Sequence, residues 1–180
     1  MLRRALHRWL FQWTANKPCR LIYVEDRPYL ERYYIGQLFG YIFYLHRFVS
    51  SDRERHIHNH PWQRGFTLIV CGSYREEKLV DLCPTAGESG CVTSISTRRW
   101  FGRVNGNTFH RIHDAAPGTW TLFAHTPFLK DKGWGFMSQS ASDPSQTIFT
   151  THLSRSSRRW WETQPVGAEI PRQPVDFFAP

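Results

Sequence analysis

Between residue 20 and about residue 139 the chain is a succession of short segments in which apolar and polar residues alternate, each closed by a turn signal. Leu21 to Val24, Tyr29 to Ile35, Gly40 to Val49, Phe66 to Cys71 and Tyr74 to Leu82 read as strands. So do Val92 to Ser96, Trp100 to Val104, Thr119 to His125 and Trp134 to Ser138. Period-two patterning sends successive side chains to opposite faces, as a strand with one buried face requires. Gly36 to Gly40, Ser50 to Arg53, Gly72-Ser73, Asn105-Gly106-Asn107 and Ala115 to Gly118 supply the turns. No helical pattern separates the strands, which argues against parallel crossovers and for an antiparallel sandwich or barrel. An aromatic content of 16% suits such a fold, because aromatic side chains favour strands and fill the space between sheets.

Two segments fall outside this pattern. At the N-terminus Leu2, Leu6, Trp9, Leu10 and Trp13 recur at helical spacing with Arg3, Arg4 and Arg8 between them. They predict a short amphipathic helix that caps the body of its own protein, ended by Lys17-Pro18. A position on a membrane surface is the alternative for such a helix. From about Ser140 the chain is polar and carries Pro144, Pro165, Pro171 and Pro174. It is expected to wrap the body as extended coil, pinned by Trp160-Trp161 and Phe177-Phe178. The organisation is thus a helix and linker over 1–19, a β-barrel over 20–139 and an irregular tail over 140–180.

A chain of 180 residues suits one domain. No apolar run approaches the roughly 18 residues needed to span a bilayer. The N-terminus is too interrupted by charge for a secretory signal, so a cytoplasmic location with free thiols is expected. Cys19, Cys71, Cys83 and Cys91 form no Cys-x-x-Cys pair, which excludes a zinc ribbon and leaves a Cys83–Cys91 loop disulfide as the one alternative to free thiols. The net charge of +8 permits an acidic partner, but the basic residues are scattered. Solvated surface charge is the better reading, with no specific nucleic-acid site.

The stretch Arg55-His56-Ile57-His58-Asn59-His60-Pro61-Trp62 carries the chemistry. On a strand, His56, His58 and His60 would line one face, with next neighbours about 7 Å apart. Three imidazoles on one face pack poorly and coordinate well, so a metal site is the first hypothesis.

These residues resemble the cupins. The first motif of that family is a Gly, five residues, His-x-His, three or four residues, a Glu, six residues and a Gly. Here His58-x-His60 is followed at the right spacings by Gly65 and Gly72, with Gly65 at the Glu position and Asp52 at the leading Gly. The second motif ends in a turn, a His and, four positions on, an Asn. Here Asn105, Asn107, His110 and Asp114 occupy the corresponding positions. Asn107 suits the left-handed turn conformation that Gly supplies. Over roughly residues 40 to 137 the chain is also similar to bacterial and phage cupin-like proteins with a His-x-His-Pro-Trp core. The resemblance implies an all-β jelly-roll barrel, the double-stranded β-helix, with a metal held by His58, His60 and His110. Three imidazoles suit Fe(II) first, and also Zn, Mn, Ni or Cu, and leave positions open for water and substrate. Without the Glu the site carries one negative charge fewer, as in the three-His thiol dioxygenases of the superfamily, which bind Fe(II). Gln63 and His56 are the auxiliary ligand candidates.

Around the motif, Glu76 is expected as general base or as partner of a ligand histidine, with Glu77 as its neighbour on the opposite face. Arg111, with Arg47 and Arg64, is a candidate anchor for a substrate carboxylate or phosphate. Tyr44, Trp62, Phe66, Tyr74 and Trp120 are candidate pocket walls, and His46 and His125 are candidate core or pocket histidines. The leading function is a small non-haem, metal-dependent, oxygenase-type enzyme acting on a small molecule. The alternatives are an isomerase or sugar-modifying cupin, and a non-enzymatic binding module. A homodimer through edge strands fits the architecture.

Overall fold

In the computed structural model the described residues are 2–24, 26–50, 56–81, 92–116, 118–139, 142, 147–152 and 159–172. A helix, α1 (Leu2–Trp13), leads into twelve strands. In chain order these are β1 (Cys19–Val24), β2 (Arg27–Leu38), β3 (Tyr41–Phe48), β4 (Ile57–His58), β5 (Arg64–Cys71) and β6 (Tyr74–Asp81). They continue as β7 (Val92–Arg98), β8 (Phe101–Asn105), β9 (His110–Ala115), β10 (Trp120–His125), β11 (Gly135–Gln139) and β12 (Thr147–Thr151). Two six-stranded sheets result, ordered β1-β2-β3-β10-β5-β8 and β12-β11-β4-β9-β6-β7. Every described pairing is antiparallel. This is the antiparallel β-sandwich expected from the alternating pattern.

The helix covers the outer face of the first sheet. It buries His7 and Leu10 there and leaves Leu2, Trp9 and Trp13 exposed. Leu10 joins Cys19, Tyr33, Leu45, Cys71 and Trp120 in one apolar cluster. The helix tightens into a single 3-10 turn at Thr14–Asn16, where the Thr14 hydroxyl donates to the Leu10 carbonyl at 2.8 Å. Lys17 is extended, at φ −104° and ψ 138°, as the steric demand of the following Pro18 requires. Among the described residues no helix is long and apolar enough to cross a membrane.

A second cluster packs between the sheets: Tyr29, Leu30, Phe48 and Ile69 from the first, Tyr74 and Ala115 from the second. Tyr29, Leu30, Phe48 and Tyr74 of this cluster also line a cavity of about 450 Å³ between the sheets.

Three expectations need correction. The histidine run is not one long strand: β4 spans only Ile57–His58, so no single face carries three imidazoles in a row. The tail is not coil throughout. β12 pairs with β11, and two 3-10 turns, Trp160–Glu162 and Gly167–Glu169, clamp the chain back on the body. The Gly167 N–H donates to the Lys17 carbonyl, Trp160 is buried, and Trp161 stacks on Tyr34 with ring centroids 4.3 Å apart. Finally, Asn107 is not left-handed: among the described residues Phe39 is the only non-glycine at positive φ. The turn is closed by the Asn105 side chain, whose Oδ1 accepts from the Asn107 N–H at 2.9 Å. Asp52, Cys83, Cys91 and Phe177-Phe178 lie outside the described residues, while Cys19 and Cys71 are free, buried thiols.

Candidate metal centre

His58 and His110 are directly opposite one another in the second sheet, on β4 and β9. Both are buried and both line the cavity. His60 lies two residues beyond β4, held by its own N–H, which donates to the Gly106 carbonyl at 3.0 Å. Gly106 is a close-approach position, since a Cβ there would overlap the Trp62 carbonyl oxygen. One ligand atom from each of His58, His60 and His110 falls within 4.8 Å of the others. The Nε2 atoms of His60 and His110 are 2.8 Å apart. Two nitrogens bound to one ion at about 2.1 Å are separated by at most about 4.2 Å, so a small rotation of the rings closes the set on a metal.

The surroundings aim the rings. Nδ1 of His110 is 2.8 Å from the Glu76 carboxylate, so it carries the proton and leaves Nε2 as the ligand atom. Nδ1 of His58 approaches the backbone carbonyl of His56 at 3.3 Å. Burial pushes the Glu76 carboxyl up, but the hydrogen bond and charge of His110, then Lys78 and Arg98, outweigh it and hold it below the usual carboxylate range. Glu76 is thus an anion behind His110, with Arg98 Nε donating to its other oxygen at 2.9 Å.

The space beside Gly65, the position at which the cupin motif carries a Glu, is filled in a specific way. Gly65 faces Trp62, whose indole would come within 2.9 Å of any Cβ placed there. That indole stacks on His60 with centroids 4.3 Å apart and planes 13° from parallel. Trp62 therefore occupies the space a residue-65 carboxylate would need, and it holds the His60 ring by its face.

The structure brings His58, His60, His110 and Glu76 together. It does not bring His56 or Gln63 to them. Both are exposed and neither lines the cavity; His56 contributes only its carbonyl. Arg111 lies apart as well. Its Nε donates to Glu77 at 2.6 Å, and it is not among the cavity-lining residues. Arg47 is buried against Glu31 under the helix, and Arg64 is exposed. Of the candidate walls, Tyr44, Trp62 and Tyr74 line the cavity, whereas Phe66 and Trp120 do not.

Part of the cavity's polar lining was missed from sequence: Arg20, Arg32, Arg159 and His152 line it beside His46 and His125, which were named as candidates. Arg20, Arg32, His46 and Thr121 form one cross-strand row over β1, β2, β3 and β10. Arg32 Nε donates to His46 Nε2 at 3.0 Å. His46 is pushed well below its ordinary value by burial, then by Arg32 and His125, and His125 falls to about 4 chiefly through burial. Both rings are neutral near pH 7. The only sequence signal for this lining is the alternation of Leu30, Arg32 and Tyr34, which names a shared face without saying what the face encloses.

No protein-family model matches the chain, and no curated protein matches it. Solved structures with the same general arrangement are distant. Fe(II)-HppE with an alternative substrate is 12% identical, with a TM-score of 0.43 over 61% of this chain and 55% of that one. AerE from Microcystis aeruginosa is 15% identical, with a TM-score of 0.38 over 71% of this chain and 57% of that one. A cupin-superfamily sugar phosphate isomerase from Silicibacter pomeroyi is 16% identical, with a TM-score of 0.36 over 75% of this chain and 88% of that one. The chain therefore spans little more than half the length of the first two, at 55% and 57%.

Proposed function

We propose that this protein is a cupin-like metal enzyme of the oxygenase type, with a divalent ion, Fe(II) in the first instance, held by His58, His60 and His110. The observation that supports it is the convergence of three imidazole nitrogens within 4.8 Å on the wall of a cavity of about 450 Å³. A metal bound there supplies a Lewis-acidic, redox-capable centre with coordination positions left for small molecules.

The chain's own groups do the rest. Glu76 holds the His110 proton on Nδ1 and keeps Nε2 turned toward the other two rings. Trp62 locks His60 and, with Tyr44, Phe123, Phe128, Trp134 and Trp160, walls the cavity with apolar surface. Among the described residues no Asp or Glu lines the cavity.

Untagged protein should carry close to one metal per chain by elemental analysis, and His58→Ala or His110→Ala should abolish it. Wild-type protein that stays metal-free after anaerobic loading with Fe(II) overturns the metal reading. Loaded protein that consumes no dioxygen with any small organic acid tried overturns the oxygenase reading alone.

A further inference from the structure

His125 closes β10, is 4% exposed and lines the cavity. Its ring is fixed at its faces and at one edge. Tyr44, Trp62 and Phe128 stack on it with centroids 5.5, 5.6 and 5.4 Å away. At the edge, Nδ1 lies 2.7 Å from the Thr126 carbonyl oxygen. A carbonyl only accepts, so Nδ1 carries the proton and Nε2 is the lone-pair nitrogen. That carbonyl is itself held in place. The Thr126 N–H donates to the Arg64 carbonyl at 2.9 Å, and the Thr126 hydroxyl accepts from the Gln63 and Arg64 N–H groups at 3.2 Å each. Burial lowers the His125 pKa to about 4, so the ring stays neutral near pH 7.

Among the described residues none donates to His125 Nε2. Nor is that atom among the sealed polar atoms that lack a partner, so it opens on space, and the space this ring lines is the cavity. His46 makes the contrast: it is also neutral and also lines the cavity, but its Nε2 already accepts from Arg32 Nε at 3.0 Å. A buried acceptor is costly to leave without a donor. For His125 the donor has to enter the cavity.

We infer that His125 Nε2 is a binding acceptor for a substrate hydroxyl, so that the cavity selects a small molecule carrying a neutral donor on an apolar body. This rests on the cavity being the active site proposed above, and it adds the substrate class. A lone pair aimed into the cavity attracts an O–H group and repels the oxygen of a carbonyl, so a ketone of the same shape is disfavoured. The apolar body matches the rings of Phe123, Phe128, Trp134 and Trp160 on the cavity wall. A volume of about 450 Å³ lies at the size of small-ligand sites. Trp62 ties the acceptor to the triad. The same indole stacks on His60 at 4.3 Å and on His125 at 5.6 Å, with planes 13° and 17° from parallel. One ring thus braces both a ligand histidine and the acceptor.

The test compares 1-phenylethanol with acetophenone, which has the same heavy atoms and no donor. Binding is followed by ligand-observed NMR on the full chain loaded with Zn(II). The alcohol should bind about tenfold more tightly than the ketone, a gap of about 1.4 kcal/mol. His125→Phe, which keeps a flat ring in the stack, should erase that preference and leave acetophenone binding intact. A second readout needs no variant to fold. In long-range nitrogen–proton spectra of the wild-type chain, the unprotonated Nε2 signal of His125 should move toward the protonated range with 1-phenylethanol and stay in place with acetophenone. The same titrations on His58→Ala separate this idea from the metal reading. A preference that survives loss of the metal and disappears in His125→Phe supports the acceptor whatever the triad does. A preference that disappears in His58→Ala and is untouched in His125→Phe belongs to the metal and overturns the acceptor. Where both variants lose it, the wild-type Nε2 response decides. Equal binding of the two probes, no binding of either, or tighter alcohol binding with a stationary Nε2 signal overturns the inference.

Discussion

Two neighbouring rungs of one ladder, on β2 and β3, have opposite fates. Glu31 is opposite Arg47, and one residue along Arg32 is opposite His46. The first pair points out beneath α1 and is sealed to 0% exposure. There Arg47 donates to Glu31 at 2.8 and 3.0 Å, the Tyr33 hydroxyl adds a third donor at 2.6 Å, and the Arg47 guanidinium lies 4.9 Å from the Phe11 ring. The second pair points into the cavity, where Arg32 Nε donates to the neutral His46 imidazole at 3.0 Å. The same strands therefore present a carboxylate–guanidinium pair to the helix and a guanidinium–imidazole pair to the cavity.

The sharpest way to break that contrast is to unbalance the outer face. Glu31→Gln should lower stability by about 3–5 kcal/mol in urea unfolding, because it leaves the Arg47 charge buried without its counter-ion. Adding Arg47→Met should recover most of that loss. Arg32→Gln on the inner face should change stability by less than about 1 kcal/mol, since it also relieves the opposition to Arg20. A large loss there would make the inner row structural and erase the distinction.

A smaller effect is expected at Glu76, which touches the triad without entering the cavity lining. Glu76→Gln should weaken metal affinity by about 10- to 100-fold in a chelator competition and leave stoichiometry at saturation unchanged. Unaltered affinity would mean that Glu76 only ties β6 to β9.

The smallest effect is in acid, and it belongs to the outer face. His7 accepts a hydrogen bond from Trp120 Nε1 at 2.8 Å, and burial, with Arg47, Arg172 and Arg3 nearby, lowers its pKa from 6.5 to about 4. Between those values the unfolded chain takes up a proton that the folded protein refuses. The His7 contribution is therefore complete above pH 6.5 and declines as the pH falls toward 4. Thermal unfolding across that window should show a drop in Tm that is reduced in His7→Phe. An identical slope in the variant would place the acid sensitivity elsewhere.

Much of this was legible in the sequence for simple reasons. The helix over Leu2–Trp13 follows from its apolar spacing and its end from Pro18. The strand-rich sandwich follows from period-two alternation between turn residues. The spacing from His58-x-His60 to Gly72, with a turn before His110, named three histidines that the fold carries to one point. The readings that failed depended on length and company. Alternation put His56 on the face of His58, but β4 is two residues long and His56 ends exposed. Arg111 was named for its nearness in sequence to His110. Neighbours on a strand point to opposite faces, and Arg111 pairs with Glu77 on the other side.

What the sequence by itself determined is local: which segments are strands, which residues share a face, where turns and the helix end, and which side chains have the chemistry to bind a metal. Those properties depend on backbone geometry and side-chain type, and a few neighbouring residues suffice to set them. Only the tertiary structure decided which faces meet. The β1–β2–β3–β10 register put Arg20, Arg32, His46 and Thr121 in one row. The β4–β9 pairing put His58 opposite His110. The turn after β4 laid Trp62 over Gly65, leaving no room there for a longer side chain. Each of these joins residues far apart in the chain. The charge and shape of the cavity are properties of the pairing, and no local stretch of sequence carries them.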